Sequence, residues 1–402
     1  MSKKPSILFI NRALPPEHPV SGRLLLDLAL GFGKDGWQVS VIAAGDPANV
    51  PSLLKKRSNV SVYRVGEMKS SSFLRALYCH IKMAIQAFRL PRHDIVVTLT
   101  DPPLLAVTGQ ILCQIKGSRH IHWCHDLYPE IIRAGGGKIS KPMLRLLQRL
   151  NHMAMKRADR VVALGRCMAR KLAHLGVPTA KISVIPNWSD PRVLVQQARK
   201  KKEGKDLFAD EEPRFRIVYA GALGRVHPYA DILEAAERLS KKFTDVEFIF
   251  AGDGQQYEEL ARKKAERGLT NIRMLPYQPE ANLSTLMESG DLHIVTLAEA
   301  ASGLSVPCKF YNGLAVRRPV IFVGPENSEV ARVIEDFKCG TLVHTGDIEA
   351  LIYAIETYRS NEAFWFAAQK GAEKAAKLMT PEQSIQLWIE KAQMVRESEP
   401  EF

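Results

Sequence analysis

Residues Ser302–Glu329 read SGLSVPCKFYNGLAVRRPVIFVGPENSE, and they hold a loop, a helix start and a buried strand within 28 positions. Pro307 fixes its own φ and disfavours helical backbone at Val306, so a helix begins just after it, with Cys308 and Lys309 at its N-terminus. Free amides and a positive dipole end attract anions there. Phe310, Tyr311, Leu314 and Ala315 then recur at helical spacing through Val316. PVIFVG is a short apolar run closed by a glycine turn, which reads as a buried strand. Such a unit gathers its loops at one sheet edge. By pattern alone it also fits the plain helix and strand of any α/β core.

The same alternation runs outward in both directions. In the first half KPSILFIN, WQVSVIAA, VSVYRV, DIVVTLT, RHIHWCHD, RVVALG and KISVIP read as strands, with helices expected over Gly22–Gly33 and Leu104–Ile115. In the second half FRIVYAG, VEFIFAGDG, IRMLP, DLHIVTL, PVIFVG and GTLVHTGD repeat the theme, with helices over Tyr229–Lys241 and Gln256–Arg267. Strands alternating with helices imply a parallel, doubly wound sheet, so the chain is expected to form two Rossmann-like α/β domains. The charged, aperiodic stretch 192–214 reads as a linker. Expected boundaries are 1–191, 192–214, 215–360 and 361–402, the last a helical tail with Trp365 and Trp388 that packs back across the groove between the domains.

Composition agrees with this scale. The 402 residues suit two domains of about 200 each, and 46% hydrophobic with 25% charged residues is ordinary for a globular protein. No apolar run reaches the roughly 18 residues of a spanning helix, and the basic start MSKKPSILFIN runs straight into a strand, so a cytoplasmic chain is expected. Six cysteines without a CxxC pair fit reduced thiols rather than a disulfide framework or structural zinc. The net charge of +13 is unevenly placed: residues 1–205 carry 34 Lys and Arg against 12 Asp and Glu, whereas the remainder is net acidic. A basic half suits nucleic acid, an anionic membrane or an anionic small molecule.

Tandem Rossmann-like domains without a dinucleotide fingerprint resemble the GT-B glycosyltransferases. PPEHPVSGRLLLDLALGFGKDGWQVSVI, HDLYPE, ADRVVALGRCMARKLAHLGVPTAKISVIPNWSD, YAGALGRVHPYADILEAAERL, FIFAGDGQQYEEL, VPCKFYNGLAVRRPVI and GPENSEV are similar to the retaining glycosyltransferase family 4 over nearly the whole chain. The resemblance implies a nucleoside-diphosphate sugar donor held by the second domain, and a saccharide or lipid-linked saccharide acceptor facing the first. It also implies no cofactor and no bound metal. The chain departs from the commoner pattern at three places. Gly221, Ala222 and His227 stand where many members carry Gly-Arg and a later Lys, Asn312 stands at the second glutamate of the E-x7-E motif, and the first glutamate falls near Leu304.

A sugar nucleotide needs cations for its diphosphate and polar groups for its ribose. Lys309 is the expected diphosphate contact, helped by Arg225 in the glycine-flanked loop from Gly221. Asn312, three residues on, shares the helical face of Lys309, and Glu329 follows the turn at Gly324 and Pro325; both are expected at the ribose. In the first domain Gly22 follows Ser21 where strand passes to helix, and is expected to let backbone amides approach the donor. Otherwise Ser21 simply caps a helix. His125 and Asp126 end a strand, where open α/β sheets collect ligands. The resemblance places this histidine near donor sugar and acceptor, so the pair is expected to be catalytic.

Competing motifs carry less. His120 and His122 share a strand face, yet His125 points elsewhere and no carboxylate pair is near, so zinc is not favoured; nor is there an Asp-x-Asp triplet. Gly31, Gly33 and Gly36 spell GxGxxG at the end of a helix, whereas a dinucleotide needs strand, loop, then helix. Two basic amphipathic stretches, 71–92 with Arg75, Lys82, Arg89 and Arg92, and 141–160 with Arg145, Arg149, Lys156 and Arg157, suit an anionic bilayer or a solvated helix face. The leading expectation is a glycosyltransferase of cell-surface polysaccharide assembly. The alternatives are a nucleotide-sugar epimerase of the same fold and a basic nucleic-acid-binding protein, the latter lacking any recognition motif.

Overall fold

The structure, a computed structural model, describes residues 4–16, 19–66, 73–190, 193 and 214–398. The first sheet contains β1 (Ser6–Ile10), β2 (Gln38–Ala43), β3 (Val60–Arg64), β4 (Ile95–Thr98), β5 (Arg119–Cys124), β6 (Arg160–Ala163) and β7 (Ile182–Val184), in the order β3-β2-β1-β4-β5-β6-β7. The second contains β8 (Phe215–Ala220), β9 (Val246–Ala251), β10 (Ile272–Leu275), β11 (Leu292–Thr296), β12 (Val320–Val323) and β13 (Gly340–Val343), in the order β10-β9-β8-β11-β12-β13. Every ladder is parallel. Helices cover both faces, which is why β4, β9, β11 and β12 are buried along their whole length and are mostly apolar, β12 throughout. The strand order reverses between β1 and β4 and between β8 and β11. Ligands of open α/β sheets bind at such switch points, beyond the carboxyl ends of the strands.

All thirteen expected strands form, and the four expected helices shift by one or two residues at each end. The first helix runs from Val20 to Lys34 and starts behind Pro19 with no side-chain cap, so Ser21 lies inside the first turn and does not cap it. The glycines of the GxGxxG run do structural work. A Cβ on Gly31 would stand 2.3 Å from Ile385 Cγ2, and Gly36 turns the chain at φ +91° just past the helix end. Of the expected linker, all but Val193 and Arg214 lies outside the described residues.

Two terminal helices, Glu362–Leu378 and Pro381–Glu397, join the halves. The former packs on second-domain helices Lys309–Ala315 and Glu329–Phe337, the latter on the first-domain helix Val20–Lys34. Trp388 from the last helix meets Trp123 of β5 at 4.9 Å between ring centroids, and Trp123 stacks on Trp188 at 5.9 Å. One apolar core therefore runs without a break from Trp123 and Trp188 to Val295, Phe310, Tyr311 and Phe322 of the second domain. A separate core fills the far face of the second sheet.

Candidate functional site

The carboxyl ends of β8 and β9 carry two interlocked glycine turns. Gly221 has φ +124° and Gly252 φ +150°, and a Cβ on Gly252 would fall 2.5 Å from the Gly221 carbonyl oxygen. A Cβ on Gly254 would likewise fall 2.6 Å from Leu223 backbone. Only glycine allows this approach. The loop after Gly221 is thereby held under Lys309, whose Cε stands 3.6 Å from where a Gly221 Cβ would be. Lys309 opens the helix Lys309–Ala315, and its Nζ lies 4.9 Å from the centroid of the buried Tyr219 ring. No carboxylate forms an ion pair with it among the described residues. Loss of water pulls its pKa down to about 7, with the neighbouring Cys308 thiol opposing. The helix has seven residues, so the pull on an anion rests on this uncompensated amine more than on the helix dipole.

His227 sits beside it in a different role from the lysine it replaces. Its Nδ1 lies 2.6 Å from the Thr296 carbonyl oxygen. A carbonyl only accepts, so Nδ1 carries the proton and Nε2 is a bare acceptor in the neutral ring. Burial, and then the charge of Lys309, push its pKa to about 3. A neutral acceptor contributes no positive charge to a diphosphate. Arg225 is exposed on the same loop, without an ion pair among the described residues, and its Cβ lies 3.1 Å from where a Gly135 Cβ would stand in the first domain. The loop thus reaches across to the other half.

His125 and Asp126 leave the end of β5 against the segment that precedes Lys309. Asp126 makes an antiparallel bridge with Ser305, and the Leu127 amide donates to the Leu304 carbonyl at 2.8 Å. His125 is buried with its ring 4.4 Å from that of Trp123, its Nε2 has no partner, and burial, then His122, push its pKa to about 3. The Asp126 carboxyl is raised by burial; a hydrogen bond from Ser305 opposes the rise and Asp101 adds to it. Asn11 Oδ1 and Asn187 Oδ1, beyond β1 and β7, are likewise buried without a partner. Buried polar groups are seldom left so. Orphaned acceptors at strand ends are what a hydroxyl-rich ligand satisfies. His120 and His122, by contrast, both turn onto Thr98 Oγ1, at 2.9 and 3.0 Å.

Three expected donor contacts depart from the sequence reading. The Gly22 amide is occupied, donating to the Pro19 carbonyl at 3.0 Å. Its lack of a side chain serves packing, since a Cβ there would stand 2.9 Å from the Ala13 backbone. Gly22→Ala is expected to cost about 1–3 kcal/mol, read as a lower denaturant midpoint at unchanged m-value. Asn312 Oδ1 accepts from the Asp190 amide at 2.9 Å. Both Glu329 carboxylate oxygens accept from Arg166, one from its backbone N–H at 2.5 Å and one from Nε at 3.1 Å. In this arrangement the two polar groups expected at the ribose instead face the first domain.

The sequence reading missed the ion pair that faces the first switch point. Arg12, just after β1, meets Asp101, just after β4, through Nε–Oδ1 at 2.8 Å and Nη2–Oδ2 at 2.6 Å, with about a quarter of each side chain exposed. A cation and an acid at the ends of the two strands that flank the order reversal were the signal. Asn187, whose Nδ2 donates to Cys308 Sγ at 3.0 Å, was also missed, although it lies in the quoted PNWSD motif.

Two family profiles together cover most of the chain: Glycosyltransferase Family 4 matches residues 21–193, and Glycosyl transferases group 1 matches residues 200–378. The chain is a GT-B glycosyltransferase of the group 1 type. Among relatives of this glycosyltransferase, WbjE of Pseudomonas aeruginosa, named as a glycosyltransferase, is 27% identical over 67% of this chain and 66% of its own length. WcaI of Escherichia coli (strain K12), named for colanic acid biosynthesis, is 26% identical over 76% and 72%. The crystal structure of Anabaena HepE in complex with UDP shares the fold, with a TM-score of 0.70 at 17% identity over 97% of this glycosyltransferase and 100% of that chain. WaaG, a glycosyltransferase involved in lipopolysaccharide biosynthesis, superposes with a TM-score of 0.67 at 16% identity, covering 95% and 99%.

Proposed function

We propose that the protein is a retaining glycosyltransferase that moves a hexose-type sugar from a nucleoside-diphosphate donor to a saccharide or lipid-linked saccharide, in cell-surface polysaccharide assembly. Lys309 carries this reading. It is an amine with a lowered pKa and no ion pair among the described residues, at the start of the helix whose preceding segment pairs with Asp126 and Leu127. An arriving diphosphate supplies the missing counter-charge, so Lys309 takes up a proton and stabilises the negative charge that develops on the leaving group. Arg225 reaches the same region from its loop. His125, neutral with an unsatisfied Nε2, orients a donor hydroxyl, and Asp126 sits beside it at the acceptor side. The relatives named for polysaccharide pathways, and fold neighbours solved with UDP and UDP-glucose, support the substrate class.

The test is the melting temperature with millimolar UDP, GDP or ADP. At least one is expected to stabilise the protein, by about 2.7 kcal/mol at 100 times its Kd. No shift with any of the three would count against the donor site. The anomer formed, followed by NMR, checks retention, and donor conversion without acceptor would instead indicate an epimerase.

A membrane-facing location fits the first domain. No helix among the described residues is long and apolar enough to cross a membrane. The adjoining helices Phe73–Arg89, Leu105–Lys116 and Lys141–Arg157 contain no Asp or Glu; Leu77, Ile81, Ile85 and Phe88 form one exposed apolar stripe on the first, and Ile115 and Leu146 are exposed on the other two. Flotation with vesicles containing anionic phosphatidylglycerol is expected to carry the protein, and zwitterionic vesicles or high salt to release it. Equal recovery with both vesicle types would remove the electrostatic part of this reading.

A further inference from the structure

An acid in the first turn of a helix ordinarily faces its own free amides. Glu329 does not. Ser328 caps the helix Glu329–Phe337, its Oγ accepting from the Ala331 amide, and the Glu329 side chain extends to the other domain. There it meets the N-terminus of the helix Arg166–His174, which has no side-chain cap of its own because its N-cap is Gly165. One Glu329 oxygen accepts from the Arg166 backbone N–H and the other from Arg166 Nε, while Arg166 Nη1 reaches Asp336 at 2.8 Å. Helix Arg166–His174 is thus capped by a residue 163 positions away, on the opposite sheet.

Gly165 fits this reading. Its φ of −170° is open to any residue, so its backbone does not require glycine. A Cβ there would stand 2.5 Å from Glu329 Cγ, 2.7 Å from its Cβ and 2.8 Å from its Cδ. The space is taken by the carboxylate arm. At the other end of the same second-domain segment, Leu304 accepts from Leu127, and in its middle Asn312 accepts from Asp190. The helix that bears Lys309 is therefore fastened to the first domain before it, within it and after it.

We propose that Glu329 is a positioning residue: by capping helix Arg166–His174 from the opposite domain, it holds Lys309 in register with His125 across the seam. It acts on turnover through domain placement and not through contact with the donor. The kinetic part of this inference rests on the donor reading given above; the packing part does not.

The experiment has two arms. Without ligand, the melting temperatures of wild type, Gly165→Ala, Glu329→Gly and the double variant form a cycle. Gly165→Ala is expected to lower the melting temperature in the wild type and to have little effect beside Glu329→Gly, because removal of the whole side chain, Cβ included, vacates the space. Equal and additive losses would overturn the contact. With UDP-glucose as the probe, Glu329→Gln, which keeps the shape and loses the charge, is expected to lower kcat about tenfold with KM within twofold of wild type. Gly165→Ala, whose own side chain lies at the seam, is expected to repeat that split. A raised KM at unchanged kcat in Glu329→Gln would mark a direct donor contact and overturn the positioning role. If the wild type fails to turn over UDP-glucose, the kinetic arm is repeated with the sugar nucleotide of whichever diphosphate stabilises the protein; stabilisation by none of them puts the donor reading at fault, and the ligand-free cycle still decides the contact.

Discussion

Lys309→Ala is expected to weaken nucleoside-diphosphate binding by roughly 10–100-fold while raising the melting temperature of the free protein. The first effect follows from removing the amine that meets the diphosphate, since a hydrogen bond to a charged group contributes about 1.5–3 kcal/mol. The second follows from linkage. The folded protein holds Lys309 near pH 7, whereas an unfolded lysine titrates at about 10.4. Unfolding between those values takes up a proton, so the native state is disfavoured by about 1.4 kcal/mol per pH unit as pH falls from 10 to 7, and levels off below. Alanine removes that penalty. The same linkage gives binding a pH signature: above pH 7 the free protein must take up a proton to bind, and Kd rises about tenfold per unit until the lysine in the complex titrates. Titration calorimetry from pH 6.5 to 9 reads it directly. A flat Kd across that range, or a melting temperature that drops in Lys309→Ala, would remove Lys309 from the centre of the site.

Mild acid is expected to unfold this protein well before its carboxylates titrate. Burial pushes His120, His125 and His227 to about 3, and His122 and His293 to about 4. An unfolded histidine titrates near 6.5. These groups are neutral in the native state, so their contribution is complete above about pH 6.5 and declines as pH falls toward the native values. Each loses about 1.4 kcal/mol per unit, and the five together remove on the order of 5 kcal/mol by pH 5.5, a large part of a total stability of roughly 5–15 kcal/mol. Asp126 and Asp291, raised by burial, act in the opposite sense and only near their own lower range. Denaturant midpoints at pH 7.5, 6.5 and 5.5 measure the slope. An uptake of less than one proton on unfolding between 6.5 and 5.5 would show that the buried histidines do not govern it.

The periodic features were legible along the chain. Alternation of apolar runs with helical spacing placed all thirteen strands, because a parallel strand buried on both faces advertises itself within six residues. The helix start at Lys309 was legible too, two residues past a proline. The tautomer of His227, the reach of Glu329 to Arg166 and the partner of Asn312 were not, since each depends on segments 69 to 163 positions apart meeting in space. Gly22 misled for a related reason. A glycine at a helix start reads as an opening for a ligand, while its actual neighbour is the Ala13 backbone.

The packing of Trp388 on Trp123 orders events during synthesis. The core of the first domain is closed by the helix Pro381–Glu397, whose Trp388 leaves the ribosome 200 positions after Trp188. At about 5–20 residues per second, the face of β5 waits roughly 10–40 s for its partner. A nascent chain stopped before Pro381 therefore exposes indole to solvent, and is the form that a chaperone or protease would meet first.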